Sequence, residues 1–75
     1  MKPVERFLEY LQTLCAEVNL YHGGLVERHV VRERMMPTAE KLVAVLFNEM
    51  DALAVQTACS LHPDAARVIG YAYGK

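Results

Sequence analysis

Apolar residues recur every three or four positions along the first segment of the chain, which is the spacing of one face of an α-helix. The members of this stripe are Val4, Phe7, Leu8, Leu11, Leu14, Cys15, Val18 and Tyr21. Pro3 suits the first helical turn, where its missing N–H leaves no hydrogen bond unmade. Gly23 and Gly24 favour helix termination. The pattern therefore predicts a first helix over residues 3–22.

The second segment, residues 25–36, has apolar pairs spaced by five positions, which matches neither a helix nor a strand. The pairs are Leu25-Val26, Val30-Val31 and Met35-Met36. Wound as a helix, they form two apolar stripes with basic residues between them, so we expect a short helix wedged between two neighbours. The alternative is a β-hairpin that turns at the two glycines and pairs residues 17–22 with residues 25–30.

A long apolar segment follows Pro37, which is expected to end the second helix because proline cannot continue the backbone hydrogen-bond ladder. Thr38 is a suitable N-cap, so a long helix is predicted over residues 38–60. One broad face of it is assigned to the core: Leu42, Val43, Leu46, Phe47, Met50, Leu53, Ala54, Thr57 and Leu61. More apolar side chains lie on the other side, where we expect an interface because a small domain cannot bury both sides: Val45, Ala52, Val55 and Cys59.

His62-Pro63-Asp64 restarts the chain, since a proline and an acid in these positions favour the start of a helix. An apolar stripe continues to Ala72 and predicts a last helix over residues 63–73. The expected fold class is all-α. We predict a small single-domain bundle of about four helices, in the order long, short, long and short, that spans residues 1–75.

The composition of the chain argues against several classes of function. The chain has 75 residues, 53% of them apolar, and eight Lys and Arg against nine Asp and Glu leave a net charge of −1. A domain of this size buries only about 60% of its unfolded surface, and association often adds stability. The charge argues against a general nucleic-acid or anionic-membrane binder. The longest apolar run, residues 42–47, is too short for a membrane span, and no export signal is apparent, so a cytoplasmic location is expected.

Histidines and cysteines supply donors for a metal, namely His22, His29, His62, Cys15 and Cys59. Cys59 and His62 are three positions apart and share a face if helical. A zinc motif needs a second short-spaced pair, which the sequence lacks. We therefore predict no metal site and no cofactor, and we interpret both cysteines as buried structural thiols. A metal- or cofactor-binding protein is the third hypothesis.

A cationic cluster lies in the second segment, formed by Arg28, His29, Arg32 and Arg34. A helix with arginines after two glycines suggests a helix-turn-helix nucleic-acid binder, which is the second hypothesis. Against it, Glu27 and Glu33 interleave with the cluster, and side chains such as Asn, Gln and Ser, which suit base recognition, are absent there. His29 and Glu33 are four positions apart and are expected to pair. We interpret the cluster as a polar contact surface for acidic protein groups.

Motifs for catalysis are absent: the sequence has no GxSxG elbow, no Gly-rich phosphate loop and no HExxH. The leading hypothesis is a small non-enzymatic helical module for protein–protein interaction, such as an adaptor, inhibitor or regulator. We expect it to act through apolar helix faces as a homodimer, with a protein partner that the sequence does not identify. The candidate interface comprises Val31, Met35, Met36, Val45, Ala52 and Val55.

Overall fold

Four α-helices form in the computed structural model, which describes residues 2–24 and 27–74, apart from the side chains of Tyr21 and His22. The helices are α1 (Pro3–His22), α2 (Arg28–Asn48), α3 (Ala52–Leu61) and α4 (Ala65–Tyr73). The predicted all-α class is confirmed. No strand occurs in the described ranges, so the alternative hairpin is wrong for the part of it that they include.

α1 begins and ends where the sequence predicts. Its apolar stripe buries Phe7 and Leu11 completely. At its end the Gly23 N–H donates to the Asn19 carbonyl at 2.9 Å. Gly24 follows with a φ of 73°, a left-handed conformation that glycine adopts without steric cost. The helix therefore ends where the chain reaches a residue that can reverse the backbone.

The predicted break at Pro37 is wrong, because α2 continues through this residue. Proline inside a helix removes one backbone hydrogen bond and crowds the carbonyl four residues earlier, at a cost of about 3 kcal/mol. Burial on both sides of the proline offsets this cost, since a fully buried Val or Leu contributes about 1.5–3 kcal/mol. The buried residues of α2 are Val31, Leu42, Val45 and Leu46. One helix thus replaces most of the predicted helix 25–36 and the first half of the predicted helix 38–60.

The chain breaks instead between Asn48 and Ala52, so a single helix over residues 38–60 is also wrong. Asp51 is the N-cap residue of α3, and its carboxylate accepts a hydrogen bond from the Ala54 N–H at 2.8 Å. Asp is a favoured N-cap because its side chain satisfies a backbone donor that the helix leaves unpaired. The helices consequently run long, long, short and short.

The core lies mainly where α1 packs on α2; α1 also contacts α3, and α4 contacts α3. Its buried side chains are Phe7, Leu11, Leu42, Val45, Leu46, Ala58, Ala65 and Ile69. Two contacts at the surface join the helix ends. Arg6 pairs with Glu49, the C-cap residue of α2. The Phe47 ring packs edge-on against the Tyr73 ring of α4, with the centroids 4.8 Å apart.

Candidate functional site

An exposed apolar face runs along α2. Met36, Val43 and Phe47 lie seven and four positions apart and therefore share one side of the helix. Their exposed fractions are 55%, 38% and 50%. Arg32 and Glu40 are also exposed and continue the same side, four positions before and after Met36. We name these five residues the α2 stripe.

An open apolar groove follows the α2 stripe. Its first part lies between α1 and the N-terminal half of α2, from Val18 to Met36. Its second part lies on α2 around Val43, and its third part lies between α1, α2 and Tyr71 of α4. Ala39 lines all three parts. The three parts therefore adjoin one another at Ala39 of α2.

Charged side chains border this groove. Arg28 and Arg32 line its first part, and Glu40 lines its second part. The ion pairs among the described residues are Arg6–Glu49 and His29–Glu27. Within that part of the chain, Arg28, Arg32 and Glu40 thus have no ionic partner. Unpaired charges of both signs beside apolar surface are typical of an interface, where they set the orientation of the partner.

Some residues of the predicted interface are buried in the structure, and others are exposed. Val45 is 1% exposed and Val31 is 5% exposed, so neither is available to a partner, and the placement of Val45 away from the core is wrong. Val55 is half-buried and packs against the core. Met35 is half-buried, whereas Met36 and Ala52 are exposed.

The position of α1 and the break between α2 and α3 together explain the misplacement. Val45 and Val55 were assigned to one side of a continuous helix, but they belong to two helices whose faces have no fixed phase relation. Val43 and Phe47, which the sequence assigned to the core, are exposed because α1 packs on the side of α2 that carries Leu42, Val45 and Leu46. Their spacing from Met36 was the signal that identifies the α2 stripe, but it becomes visible only when the helix is continued through Pro37.

The predicted cationic cluster is partly assembled. Arg28, His29 and Arg32 line a common hollow on the surface, and Arg34 is exposed outside it. His29 contacts Glu27 at 3.4 Å, and the predicted pair with Glu33 is not formed among the described residues. Both side chains of the observed pair are exposed, so it contributes little to stability. Two arginines beside a histidine on one hollow attract an acidic group.

A second polar cluster joins α1 to the turn between α3 and α4. Cys15 of α1 and His62 and Asp64 of the turn offer donor atoms that all lie within 4.8 Å of one another. The Cys15 thiol donates to Asp64 Oδ2 at 3.7 Å, and the Asp64 N–H donates to His62 Nδ1 at 3.1 Å. All three residues are half-buried. We name them the Cys15 cluster.

This geometry does not activate the thiol as a nucleophile. Burial, together with the Asp64 carboxylate, raises the pKa of Cys15, whereas a reactive thiol needs a lowered pKa. His62 Nδ1 accepts from a backbone N–H and not from the thiol, so it is not placed as the base of a Cys–His pair. The sulfur, nitrogen and oxygen donors of the Cys15 cluster are those of a metal site.

The sequence analysis considered Cys59, and not Cys15, as the metal-ligand neighbour of His62. Cys59, three positions before it, packs against the core, and the structure pairs His62 with Cys15. His29 lies in α2, and the side chain of His22 lies outside the described residues. Asp64 was interpreted only as a helix-start acid, yet its side chain makes no capping hydrogen bond in the described part of the chain. No local spacing reveals the cluster, because 47 positions separate Cys15 from His62.

Comparison with protein-family models, with curated proteins and with solved structures finds no match for this chain. Among the helices of residues 2–24 and 27–74, none combines the length and apolar character that crossing a membrane requires. Function therefore has to be inferred from the α2 stripe and the Cys15 cluster.

Proposed function

We propose that the protein is a small non-enzymatic interaction module, acting as an adaptor, inhibitor or regulator, that associates through the α2 stripe as a homodimer. The observation that supports it most directly is the row Arg32, Met36 and Glu40 on one exposed helix face. This row has a cation at one end, an apolar centre and an anion at the other end. A second copy of the same chain complements it.

The complementarity follows from the positions of the charges. When two α2 helices cross antiparallel with Met36 at the two-fold axis, Arg32 of each copy lies opposite Glu40 of the other, because both are four positions from Met36. A parallel arrangement places like charges together, which is unfavourable. The charges thus select the antiparallel dimer, and the apolar residues supply the surface to be buried.

The accessible surface area of the chain is larger than that of a typical monomer of the same mass. The chain exposes 5298 Å². A monomer of 8.5 kDa typically exposes about 4,700 Å². The excess of about 600 Å² approaches the roughly 800 Å² that each partner buries in a standard interface. A second copy on the groove would bury part of the exposed surface.

Light scattering coupled to size-exclusion chromatography tests the proposal. We expect a wild-type mass near 17 kDa, twice the 8.5 kDa of the chain. Arg32→Glu or Glu40→Arg alone places like charges across the interface and should weaken association at least tenfold. The two substitutions combined restore opposite charges between copies, so the mass should return to that of the dimer.

A matched control is Arg34→Glu, which makes the same charge change at an exposed position off the α2 stripe and should leave the mass unchanged. Circular dichroism should show equal helicity in all variants. A wild type that stays at 8.5 kDa at high concentration contradicts the homodimer. So does a combined variant that dissociates as readily as the single ones.

Nucleic-acid binding through Arg28, Arg32 and Arg34 is the competing function, favoured by the hollow that Arg28, His29 and Arg32 share. The net charge of −1 opposes it. Arg28→Glu combined with Arg32→Glu should keep the fold and slow protein association, because steering charges act mainly on the association rate. Tight binding of the wild type to a DNA duplex, weakening steeply with salt, would favour the competing function instead.

A further inference from the structure

Two polar residues of the turn between α3 and α4, His62 and Asp64, lie beside Cys15 of α1. His62 is the C-cap residue of α3, and Asp64 is the N-cap residue of α4, so two helix ends fix their backbones. Cys15 reaches the same point from the middle of α1. Three different donor types thus converge within 4.8 Å on a half-buried site that the proposed association does not use.

We propose that Cys15, His62 and Asp64 bind one zinc ion, with a water molecule as the fourth ligand. Zinc accepts thiolate, imidazole and carboxylate ligands together, and three protein ligands with one water form an open tetrahedral site. The thiolate selects against calcium and magnesium, which prefer oxygen ligands.

The separation of the donors fits this ion. Zinc–sulfur bonds of about 2.3 Å and zinc–oxygen bonds of about 2.0–2.2 Å, at tetrahedral angles, place sulfur and oxygen about 3.5–3.7 Å apart. The observed distance from Cys15 Sγ to Asp64 Oδ2 is 3.7 Å. Since the donor atoms all lie within 4.8 Å, the His62 nitrogen has to approach by no more than about 1.5 Å.

The ligands are available for coordination. The Asp64 carboxylate makes no capping hydrogen bond among the described residues and accepts only the weak S–H bond from Cys15. On binding, the thiol proton leaves to solvent, and the sulfur electron pair forms the bond to zinc. His62 exchanges its hydrogen bond from the Asp64 N–H for the metal if it binds through Nδ1. Because the thiol must lose its proton, zinc binding tightens as the pH rises.

A zinc ion at this position links α1 to the α3–α4 turn. It bridges residues 47 positions apart in the sequence. A ligand that binds only the folded state raises its stability. We therefore expect a higher melting temperature with zinc than in metal-free protein.

Calorimetric titration of metal-free protein with zinc chloride tests the proposal. We expect one zinc per chain for the wild type, and Cys15→Ser or Asp64→Asn should each weaken binding at least tenfold. Cys59→Ser and His29→Asn remove the same residue types outside the site, so they are matched controls and should bind as the wild type does. Cobalt serves as the second probe, because cobalt bound to a thiolate absorbs in the near ultraviolet.

The cobalt spectrum tests coordination by a thiolate even if the Cys15→Ser variant does not fold. The thiolate-to-cobalt band should appear in the wild type and in Cys59→Ser, and added zinc should remove it. A wild type that binds no zinc, or a cobalt complex without this band, overturns the proposal. An equal loss of affinity in Cys59→Ser and Cys15→Ser also overturns it. The association measured by light scattering is a separate readout, so failure here leaves the homodimer proposal unaffected.

Discussion

The Asp51 carboxylate accepts a hydrogen bond from the Ala54 N–H at 2.8 Å, and this contact marks the start of α3. Just before it, the Glu49 N–H donates to the Val45 carbonyl and completes the last turn of α2. The two contacts separate one apolar segment into two helices. Within α2, Val45 is buried in the core and Phe47 is exposed.

Asp51→Ala should lower the free energy of unfolding by about 1 kcal/mol, because it removes the side chain that caps α3. Asp51→Asn keeps an N-capping oxygen and serves as the control, with most of the stability retained. Urea denaturation followed by circular dichroism measures both. If Asp51→Ala is as stable as the wild type, the helix is not interrupted at this residue.

Pro37→Ala should stabilise the protein by roughly 2–2.6 kcal/mol. A proline inside a helix costs about 3 kcal/mol. The greater freedom of the unfolded chain without proline offsets about 0.4–1 kcal/mol of that gain. Pro37 is exposed, so its replacement removes no core contact. Pro63→Ala, in the turn outside the helices, is the matched control and should show no such gain. A loss of stability in Pro37→Ala would mean that proline ends a helix there, as the sequence predicted.

Val43→Asp and Val45→Asp should have opposite consequences, although the residues are two positions apart. Val45 is 1% exposed, and a buried, unpaired carboxylate costs several kcal/mol, so Val45→Asp should unfold the chain. Val43 is 38% exposed, so Val43→Asp should keep the helicity and shift the light-scattering mass toward the monomer. A folded Val45→Asp variant would contradict the position of Val45 in the core.

Both cysteines should react slowly with a thiol reagent in native, metal-free buffer and quickly in denaturant, since both are half-buried. The Cys59→Ser variant reports on Cys15 alone. Burial and Asp64 raise the pKa of the Cys15 thiol above its ordinary value of 9.0, so labelling should accelerate at a higher pH than for a free thiol. Because the folded-state pKa of this thiol is raised, its contribution to stability is fully present below pH 9 and is lost as the pH rises through the folded-state pKa. Rapid native labelling at neutral pH would show that the thiol is accessible and reactive.

Local sequence pattern was sufficient for some features of the fold. The all-α class and both ends of α1 follow from hydrophobic spacing, from Pro3 and from the glycines, because these signals act within one turn of helix. The last helix was also predicted within two residues of its start, since Pro63 and Asp64 restrict the backbone locally. Periodicity placed the surplus apolar surface at Val45, Val55 and Cys59, but these residues lie in the core or pack against it.

Packing between helices determined the rest. Whether α2 continues through Pro37 depends on burial of Val31 and Leu42 on either side of it, and their neighbours on other helices come from distant parts of the chain. The side of α2 that faces solvent depends on where α1 lies, so Val43 and Val45 could not be distinguished by composition. The Cys15 cluster likewise forms only when α1 and the α3–α4 turn meet in space. Hydrogen bonding and steric restriction act between neighbouring residues, whereas burial is a property of the assembled helices.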